Sequence, residues 1–179
     1  GEPYFGYLRG RYTKAELKEL DAAAKACGLE LIPCIQTLAH LGGVTRWPAY
    51  ANITDTGDIL LAEESRTYEL IENMFRTCAE CFSSRRINIG MDEAHMVGLG
   101  KYLDKHGFKD RFAILLKHLE RVNEIALRYG FRPMMWSDMF FRLANEGNYY
   151  CKNDRIPKQV IEVVPENVEL VYWDYYSTD

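Results

Sequence analysis

Two adjacent acidic residues, Asp92 and Glu93, stand at the end of an apolar run that covers residues 86–92. Their side chains are the ones in this sequence best suited to catalysis. Like charges repel strongly in a low dielectric, so one carboxylate is expected to stay ionised while the pKa of the other rises. Such a pair supplies an anion and a proton donor, which acid–base catalysis requires. Gly90 leaves room nearby for a ligand or a facing backbone. The alternative is structural, with both acids at the N-terminus of a helix whose dipole favours negative charge.

Polar residues capable of binding or catalysis also follow the other short apolar runs of the chain. All of them stand at the C-terminal end of their run: Gln36 and Thr37, Asp92 and Glu93, Ser137 and Asp138, and Asp174. In folds built from parallel βα units, the C-terminal ends of the strands form the active face. The pattern therefore predicts one site assembled from several strand ends.

Helical and apolar segments alternate along the chain. The predicted helices cover residues 13–27, 64–82, 110–129 and 157–163, and the predicted strands cover residues 29–37, 86–92, 132–138 and 168–174. Thr13 and Glu16 form a capping box at the first helix, and Gly28 and Gly130 end the first and third helices. The strands are apolar throughout, which is typical of a parallel sheet in an α/β fold. A partial (β/α)₈ barrel and an open doubly wound sheet both fit this pattern.

The composition indicates a globular domain without affinity for nucleic acid or membranes. The 179 residues are 47% hydrophobic and 27% charged, and the net charge of -4 gives no general attraction to polyanions. No apolar stretch is long enough to span a bilayer. We therefore expect neither nucleic acid nor a membrane as a partner.

The five cysteines are scattered rather than arranged as a disulfide framework. Cys34 lies in an apolar run, whereas Cys27, Cys78 and Cys81 lie in helical patterns. We interpret them as reduced, mostly buried thiols, which favours a cytoplasmic location. No second pair of ligands accompanies Cys78 and Cys81, so their spacing favours a structural role over a zinc site.

The histidines are weaker candidates for function. His40 follows the first strand, and a single histidine in a loop is more often structural. His95 lies two residues beyond Glu93, where it either tunes the acid or is a solvated loop residue. His106 and His118 are interpreted as surface or helix residues. No set of His, Cys and carboxylates has metal-ligand spacing, so we expect no metal and no cofactor.

Four strand-end motifs together resemble one known family. IPCIQTLAHL, IGMDEAH, WSDMFFR and VYWDYY resemble, in this order, the third to sixth strands of glycoside hydrolase family 20. The resemblance is greatest to the bacterial, intracellular branch of exo-β-N-acetylhexosaminidases. It implies that residues 1–179 form a single partial catalytic domain with about four βα units of a (β/α)₈ barrel, strands three to six.

The resemblance also implies a retaining, substrate-assisted mechanism, in which the 2-acetamido oxygen of the substrate attacks the anomeric carbon. Glu93 would protonate the leaving oxygen and then activate water. Asp92 would hold the acetamido N–H and stabilise the developing positive charge. The implied partner is a carbohydrate with a terminal N-acetylhexosamine.

Further sugar-binding residues are implied at the same strand ends. The resemblance assigns Trp136 and Trp173 to the walls of the sugar pocket, although core packing is the alternative for both. Tyr175 best matches the tyrosine that holds the acetamido oxygen, with Tyr172 and Tyr176 as alternatives. Asp174 would bind sugar hydroxyls, and His40 would line the site.

The chain departs from the family pattern at both ends. By resemblance it begins in the loop after the second strand and stops just after the sixth, and neither Arg9 nor Arg11 matches the sugar-binding arginine of the first strand. An incomplete parallel sheet has open edges, which favour pairing with a second copy. We therefore expect either an excised fragment or a half-barrel that associates with a second copy through these edges, and little hexosaminidase activity from the isolated chain.

Two other functions stay open. In the first, Asp138 or Asp174 is the nucleophile of a retaining glycosidase and Glu93 is its acid. In the second, the chain is a non-catalytic carbohydrate-binding half-barrel.

Overall fold

The computed structural model describes residues 2–144, 149 and 162–175. Helices form at α1 (Lys14–Ala26), α2 (Gly42–Thr45), α3 (Ser65–Cys81), α4 (Lys101–His106), α5 (Arg111–Arg128) and α6 (Asp138–Ala144), with a 3₁₀ helix at Pro48–Ile53. Strands form at β1 (Thr54–Thr56), β2 (Ile59–Leu60), β3 (Arg86–Asn88), β4 (Arg132–Trp136) and β5 (Glu169–Val171).

The sheet whose strands are followed by the candidate site residues is parallel, as the apolar runs predict. Strands β3, β4 and β5 are neighbours in chain order, with Ile87 beside Pro133 and Met135 beside Leu170. The first predicted strand lies on the other side of β3, where Cys34 forms a parallel bridge with Asn88. The α/β class with parallel strands is therefore confirmed, and within the described residues the sheet is open.

The prediction of a regular strand at residues 29–37 is wrong, because this segment forms only a single bridge, at Cys34. Asn88 donates to the carbonyl of Pro33 and accepts from the amide of Ile35, with N···O distances of 2.9 and 2.8 Å. Pro33 has no N–H to donate, which limits the ladder at this position. A short antiparallel hairpin of β1 and β2, around Gly57, was not predicted from the sequence.

The helix boundaries follow the capping residues of the sequence. Thr13 and Glu16 form the predicted capping box of α1, and the Asp110 side chain caps α5 by accepting from the amide of Ala113. Gly28 and Gly130, which follow these two helices, have φ of +74° and +75°, a region that favours glycine. The predicted helix at 157–163 lies largely outside the described residues.

Helices α3 and α5 cover one face of the sheet and form the core with it. Their apolar stripes bury Ile71, Phe75, Leu115 and Val122 in the same cluster as Met135 of β4. Alternate residues of a strand point to opposite faces. Trp136, next to Met135, therefore points to the face opposite the helices.

His118, interpreted from the sequence as a surface or helix residue, is a helix residue of α5 whose side chain is fully buried. Its Nε2 lies 2.9 Å from the carbonyl oxygen of Thr37, and a carbonyl can only accept, so Nε2 carries the proton. Nδ1 then accepts from the Tyr68 hydroxyl, 3.2 Å away. Thr37 in turn donates to the carbonyl of Ile89 at 2.8 Å. This chain of hydrogen bonds joins α5 to the segment beside β3 and to the end of β3 itself.

The buried His118 predicts loss of stability in mild acid. Burial lowers its pKa from 6.5 to about 4, against the raising effect of the hydrogen bond to Thr37. The unfolded state therefore binds more protons between these values. We expect the free energy of unfolding to be highest above pH 6.5 and to fall by about 3 kcal/mol towards pH 4. Urea unfolding at a series of pH values measures this loss.

The matched control is His106→Gln, because the side chain of His106 is exposed. His118→Gln is expected to flatten the dependence on pH, whereas His106→Gln should preserve it. A parent protein with the same stability at pH 4.5 and pH 7 would contradict the prediction.

The described cysteines are free thiols, but only some of them are buried. Cys78 and Cys81 are buried on α3, and burial raises the pKa of Cys78 to about 12. A thiol that stays protonated is unreactive, in keeping with a structural role. Cys27 and Cys34 are exposed, so the prediction of burial is wrong for both. Cys27 follows the end of α1, and Cys34 lies in the segment that forms no regular strand.

None of the described helices combines the length and apolar character needed to cross a membrane.

Candidate active site

The backbone turns sharply at the end of β3 and brings both candidate acids to the edge of the sheet. Gly90, Met91 and Glu93 all have positive φ, of 71°, 70° and 50°. A left-handed conformation costs non-glycine residues free energy, and such strain concentrates at functional sites. A methyl group on Gly90 would lie 2.9 Å from the carbonyl oxygen of Ile35, so glycine allows this close approach of the neighbouring segment. This agrees with the expectation of a facing backbone.

Asp92 is fixed by two partners from the segment before α2. The Gln36 amide donates to its Oδ1 at 2.9 Å, and Nε2 of His40 lies 3.1 Å from its Oδ2. Its side chain is 18% exposed. Asp92 is therefore oriented but still reachable from one side.

Glu93 shares the imidazole with Asp92 and is more open to solvent. Its Oε2 lies 3.5 Å from Nε2 of His40, and its Oε1 lies 3.7 Å from a guanidinium nitrogen of Arg142. Its side chain is 39% exposed. The two acids thus converge on one histidine, and the structural alternative of a helix N-terminus does not hold, because α4 begins only at Lys101.

Asp138 holds the backbone of Glu93 in place. Its Oδ2 accepts from the amide of Glu93 at 3.0 Å and from Nε of Arg142 at 3.3 Å. Burial raises the pKa of Asp138, the negative charge of Asp92 raises it further, and the Glu93 amide and Arg142 act in the opposite direction. Asp138 is fully buried. Asp138 is therefore placed to hold the backbone of Glu93.

The end of β5 carries an aromatic cluster. The Tyr149 hydroxyl donates to the carbonyl of Trp173 at 2.6 Å, and the two rings lie 4.6 Å apart. Burial is the main reason why the pKa of Tyr149 rises to about 12. Asp174 accepts from the Tyr172 hydroxyl at 3.4 Å, and Tyr175 packs on Trp173 at 5.5 Å with 79% of its surface exposed.

Arg142 links the two groups of residues. Its guanidinium carbon lies 5.4 Å from the centre of the Tyr149 ring, and the same side chain reaches Glu93 and Asp138. A guanidinium over an aromatic face is a favourable arrangement. The ends of β3, β4 and β5 are therefore connected by direct contacts.

The structure brings Asp92, Glu93 and His40 together, and it groups Trp173, Asp174 and Tyr175 at a neighbouring strand end. Trp136 is half-buried on the strand between them. Tyr176, an alternative to Tyr175, lies outside the described residues. His95 is exposed, and its carbonyl accepts from Arg111 at 2.6 Å.

Sequence reasoning placed Gln36 at a strand end of the site without assigning it to Asp92, and it missed Arg142 and Tyr149. A signal for Arg142 existed, since Asp138 and Arg142 are four residues apart at the start of a helix, where side chains meet. Tyr149 had no comparable local signal. Among the described residues, no three or more His, Cys, Asp or Glu side chains are placed to hold a metal ion.

Comparison with known proteins identifies the family. The model for glycosyl hydrolase family 20, catalytic domain, matches residues 6–177. Hexosaminidase D from Homo sapiens is 27% identical over 187 aligned residues, which cover 97% of this chain and 36% of that protein. Hexosaminidase D from Bos taurus is also 27% identical, over 97% of this chain and 51% of that protein. The chain thus spans between a third and a half of these relatives.

Solved structures share the fold. An exo β-N-acetylglucosaminidase from Vibrio harveyi, in complex with N-acetylglucosamine, aligns with a TM-score of 0.67 and 17% identity, over 92% of this chain and 26% of that one. The β-N-acetylhexosaminidase from Bacteroides fragilis aligns with a TM-score of 0.66 and 17% identity, over 97% of this chain and 35% of that one. The family match covers nearly the whole chain, and the strand-end motifs lie where the fold gathers its acids. The chain belongs to glycosyl hydrolase family 20.

Proposed function

We propose that residues 1–179 are a single partial catalytic domain of a retaining β-N-acetylhexosaminidase, carrying strands three to six of a (β/α)₈ barrel. The observation that supports this best is the convergence of Asp92 and Glu93 on His40 at the C-terminal end of β3. The relatives' names and the complex of a structural neighbour with N-acetylglucosamine support the same class of reaction.

In the proposed reaction, the 2-acetamido oxygen of the terminal sugar attacks the anomeric carbon and forms an oxazolinium ion. Glu93 protonates the leaving glycosidic oxygen and later takes a proton from the attacking water. Asp92 accepts a hydrogen bond from the acetamido N–H and stabilises the positive charge there. Gln36 and His40 orient Asp92, and pre-orientation of this kind removes much of the entropic barrier.

The proposed sugar contacts come from the other strand ends. Trp136 and Trp173 offer flat apolar surfaces for the sugar and the acetamido methyl. Asp174 is assigned to sugar hydroxyls and Tyr175 to the acetamido oxygen. Tyr175 is exposed at this strand end.

A protein nucleophile is less well supported. Asp138 is fully buried and already holds the amide of Glu93, so it would have to leave its partners to attack a sugar. Asp174 is the remaining alternative, and it is half-buried beside Tyr172.

Binding of N-acetylglucosamine-thiazoline, a stable mimic of the oxazolinium ion, tests the proposed mechanism. We expect calorimetry to detect binding to the parent chain and a weakening of about 10- to 100-fold in Asp92→Asn, because a charged hydrogen bond is lost. Asp104→Asn, at an exposed position of α4, is the matched control and should bind normally. Equal binding of the parent and Asp92→Asn would refute the assignment of Asp92, and no binding to a complete barrel that contains this segment would favour the protein nucleophile.

The isolated chain is expected to hydrolyse N-acetylglucosaminides poorly. Within the described residues the sheet is open, so they enclose a sugar at Asp92 and Glu93 only in part. Turnover of a chromogenic N-acetylglucosaminide should be at least about 100-fold below that of a complete barrel that includes this segment, because incomplete positioning of the substrate is costly. Comparable turnover of the two proteins would show that the prediction is wrong.

Cytoplasmic location is proposed on the grounds of the free thiols Cys27, Cys34, Cys78 and Cys81. A bacterial source is a prediction that the named relatives from Homo sapiens and Bos taurus do not support. Association of two copies through the open sheet edges stays a prediction.

A further inference from the structure

Three aromatic side chains from two separate parts of the chain form one surface cluster. The rings of Tyr4 and Trp47 are stacked, with centres 5.3 Å apart and planes inclined by 20°. Tyr7 meets the edge of both, at 5.4 Å from Trp47 and 5.9 Å from Tyr4. We call these three residues the aromatic platform.

The platform is held firmly and yet is open to solvent. Tyr4 is 39% exposed and Tyr7 is 46% exposed, whereas Trp47 is half-buried against the core. The segment that carries both tyrosines is fixed to α3, because Glu2 accepts from Asn73 at 2.7 Å and forms an ion pair with Arg66. Ordered aromatic faces that stay exposed are typical of binding surfaces.

The platform lies at the same end of the fold as the candidate active site. Helices of parallel βα units run opposite to the strands, so the N-terminus of α1, which follows the tyrosines, faces the C-terminal ends of the strands. Trp47 comes seven residues after His40, and the intervening residues include α2. The single turn of α2, Gly42–Thr45, keeps this connection short, because a helix rises only about 1.5 Å per residue.

Two further contacts tie the platform segment to His40. The Arg9 side chain lies beside Gly43 of α2, with Nε 3.6 Å from the position of a Cβ there. Asp58, on the loop between β1 and β2, lies beside Gly42 and has Oδ2 3.9 Å from Nδ1 of His40. A ligand that extends from Glu93 past His40 would therefore meet this side of the site.

We propose that the aromatic platform binds the sugar residues on the leaving-group side of the substrate. The inference rests on the proposed function, because it takes Glu93 as the group that protonates the leaving oxygen. The apolar C–H face of a pyranose packs on an aromatic ring, and tyrosine adds a hydroxyl at the rim that can bond to sugar hydroxyls. The platform thus selects oligosaccharides over single sugars attached to small groups.

Calorimetry with the parent chain tests the proposal without requiring turnover. We expect the trisaccharide of β-1,4-linked N-acetylglucosamine to bind to the parent at least about tenfold more tightly than to the double variant Tyr4→Ala, Tyr7→Ala, because each stacked ring adds to the affinity. N-acetylglucosamine-thiazoline should bind equally to the parent and to the double variant. Tyr4→Phe, Tyr7→Phe keeps the rings and should retain most of the trisaccharide affinity.

Tyr12→Ala is the matched control, since Tyr12 is 64% exposed in the same segment. It should leave trisaccharide binding unchanged. Circular dichroism checks that each variant is folded. Unchanged trisaccharide affinity in the folded double alanine variant overturns the proposal. The proposal is also overturned if sedimentation shows that the parent is a dimer and the double alanine variant is a monomer, and both bind the sugar equally. The platform is then an interface between copies of the chain.

The failure of the proposed function would look different. In that case Asp92→Asn and Glu93→Gln would leave thiazoline binding unchanged, whereas the double alanine variant would still lose trisaccharide affinity. Normal thiazoline binding together with a trisaccharide that binds equally to the parent and the double variant would instead refute only the platform.

Discussion

Glu93→Gln is expected to lower kcat for an N-acetylglucosamine disaccharide by about 10²–10⁴ in a complete barrel that contains this segment. Glutamine has nearly the same shape and can still contact His40 and Arg142, which lie 3.5 and 3.7 Å from the carboxylate. It cannot deliver a proton to the leaving oxygen. The loss should be smaller for a nitrophenyl glycoside, because a more acidic leaving group needs less protonation. Steady-state kinetics with both substrates measure the difference.

Glu124→Gln, on the exposed face of α5, is the matched control and should turn over both substrates at the parent rate. An equal loss on the two substrates would mean that Glu93 has a structural role and does not act as the acid. If Glu93→Gln binds and behaves like the parent, the chain is a carbohydrate-binding domain without catalysis.

Gly90→Ala is expected to destabilise the fold by about 3–5 kcal/mol and to weaken thiazoline binding at the same time. The added methyl would lie 2.6 Å from Cδ of Gln36, closer still to Oε1 of that residue, and 2.9 Å from the backbone oxygen of Ile35. Gln36 can move only by giving up its hydrogen bond to Asp92, and the Ile35 carbonyl belongs to the backbone beside β3. Urea unfolding and calorimetry measure the two effects.

Gly28→Ala separates the clash from the cost of the backbone conformation. Gly28 has a φ of +74°, close to the +71° of Gly90, but a methyl there would meet no atom within 4 Å. Its loss of stability should be about 1–2 kcal/mol, from the left-handed conformation alone. If both variants lose the same stability, the contact between Gly90 and the neighbouring segment has no energetic importance.

Local sequence patterns were sufficient for the helices α1, α3 and α5 and for the polar residues that follow the strands, whereas the shorter helices α2, α4 and α6 were not predicted. Capping residues such as Thr13 and Asp110 lie at the observed helix starts, since a cap satisfies the amides of its own first turn. That Asp92 and Glu93 are adjacent and follow β3 could likewise be predicted from the sequence. That the parallel strands bring their ends to one face follows from the alternation of helix and strand.

Tertiary structure alone decided which side chains meet at that face. Arg142 is 49 residues from Glu93 in sequence, and their contact depends on how α6 leaves β4 beside the turn at Gly90. The burial of His118 depends in the same way on the carbonyl of Thr37 in a distant segment. Periodicity and capping encode interactions within about one helical turn. The contacts of Arg142 and His118 arise instead from the register of neighbouring strands, which cannot be predicted from any single segment of the sequence.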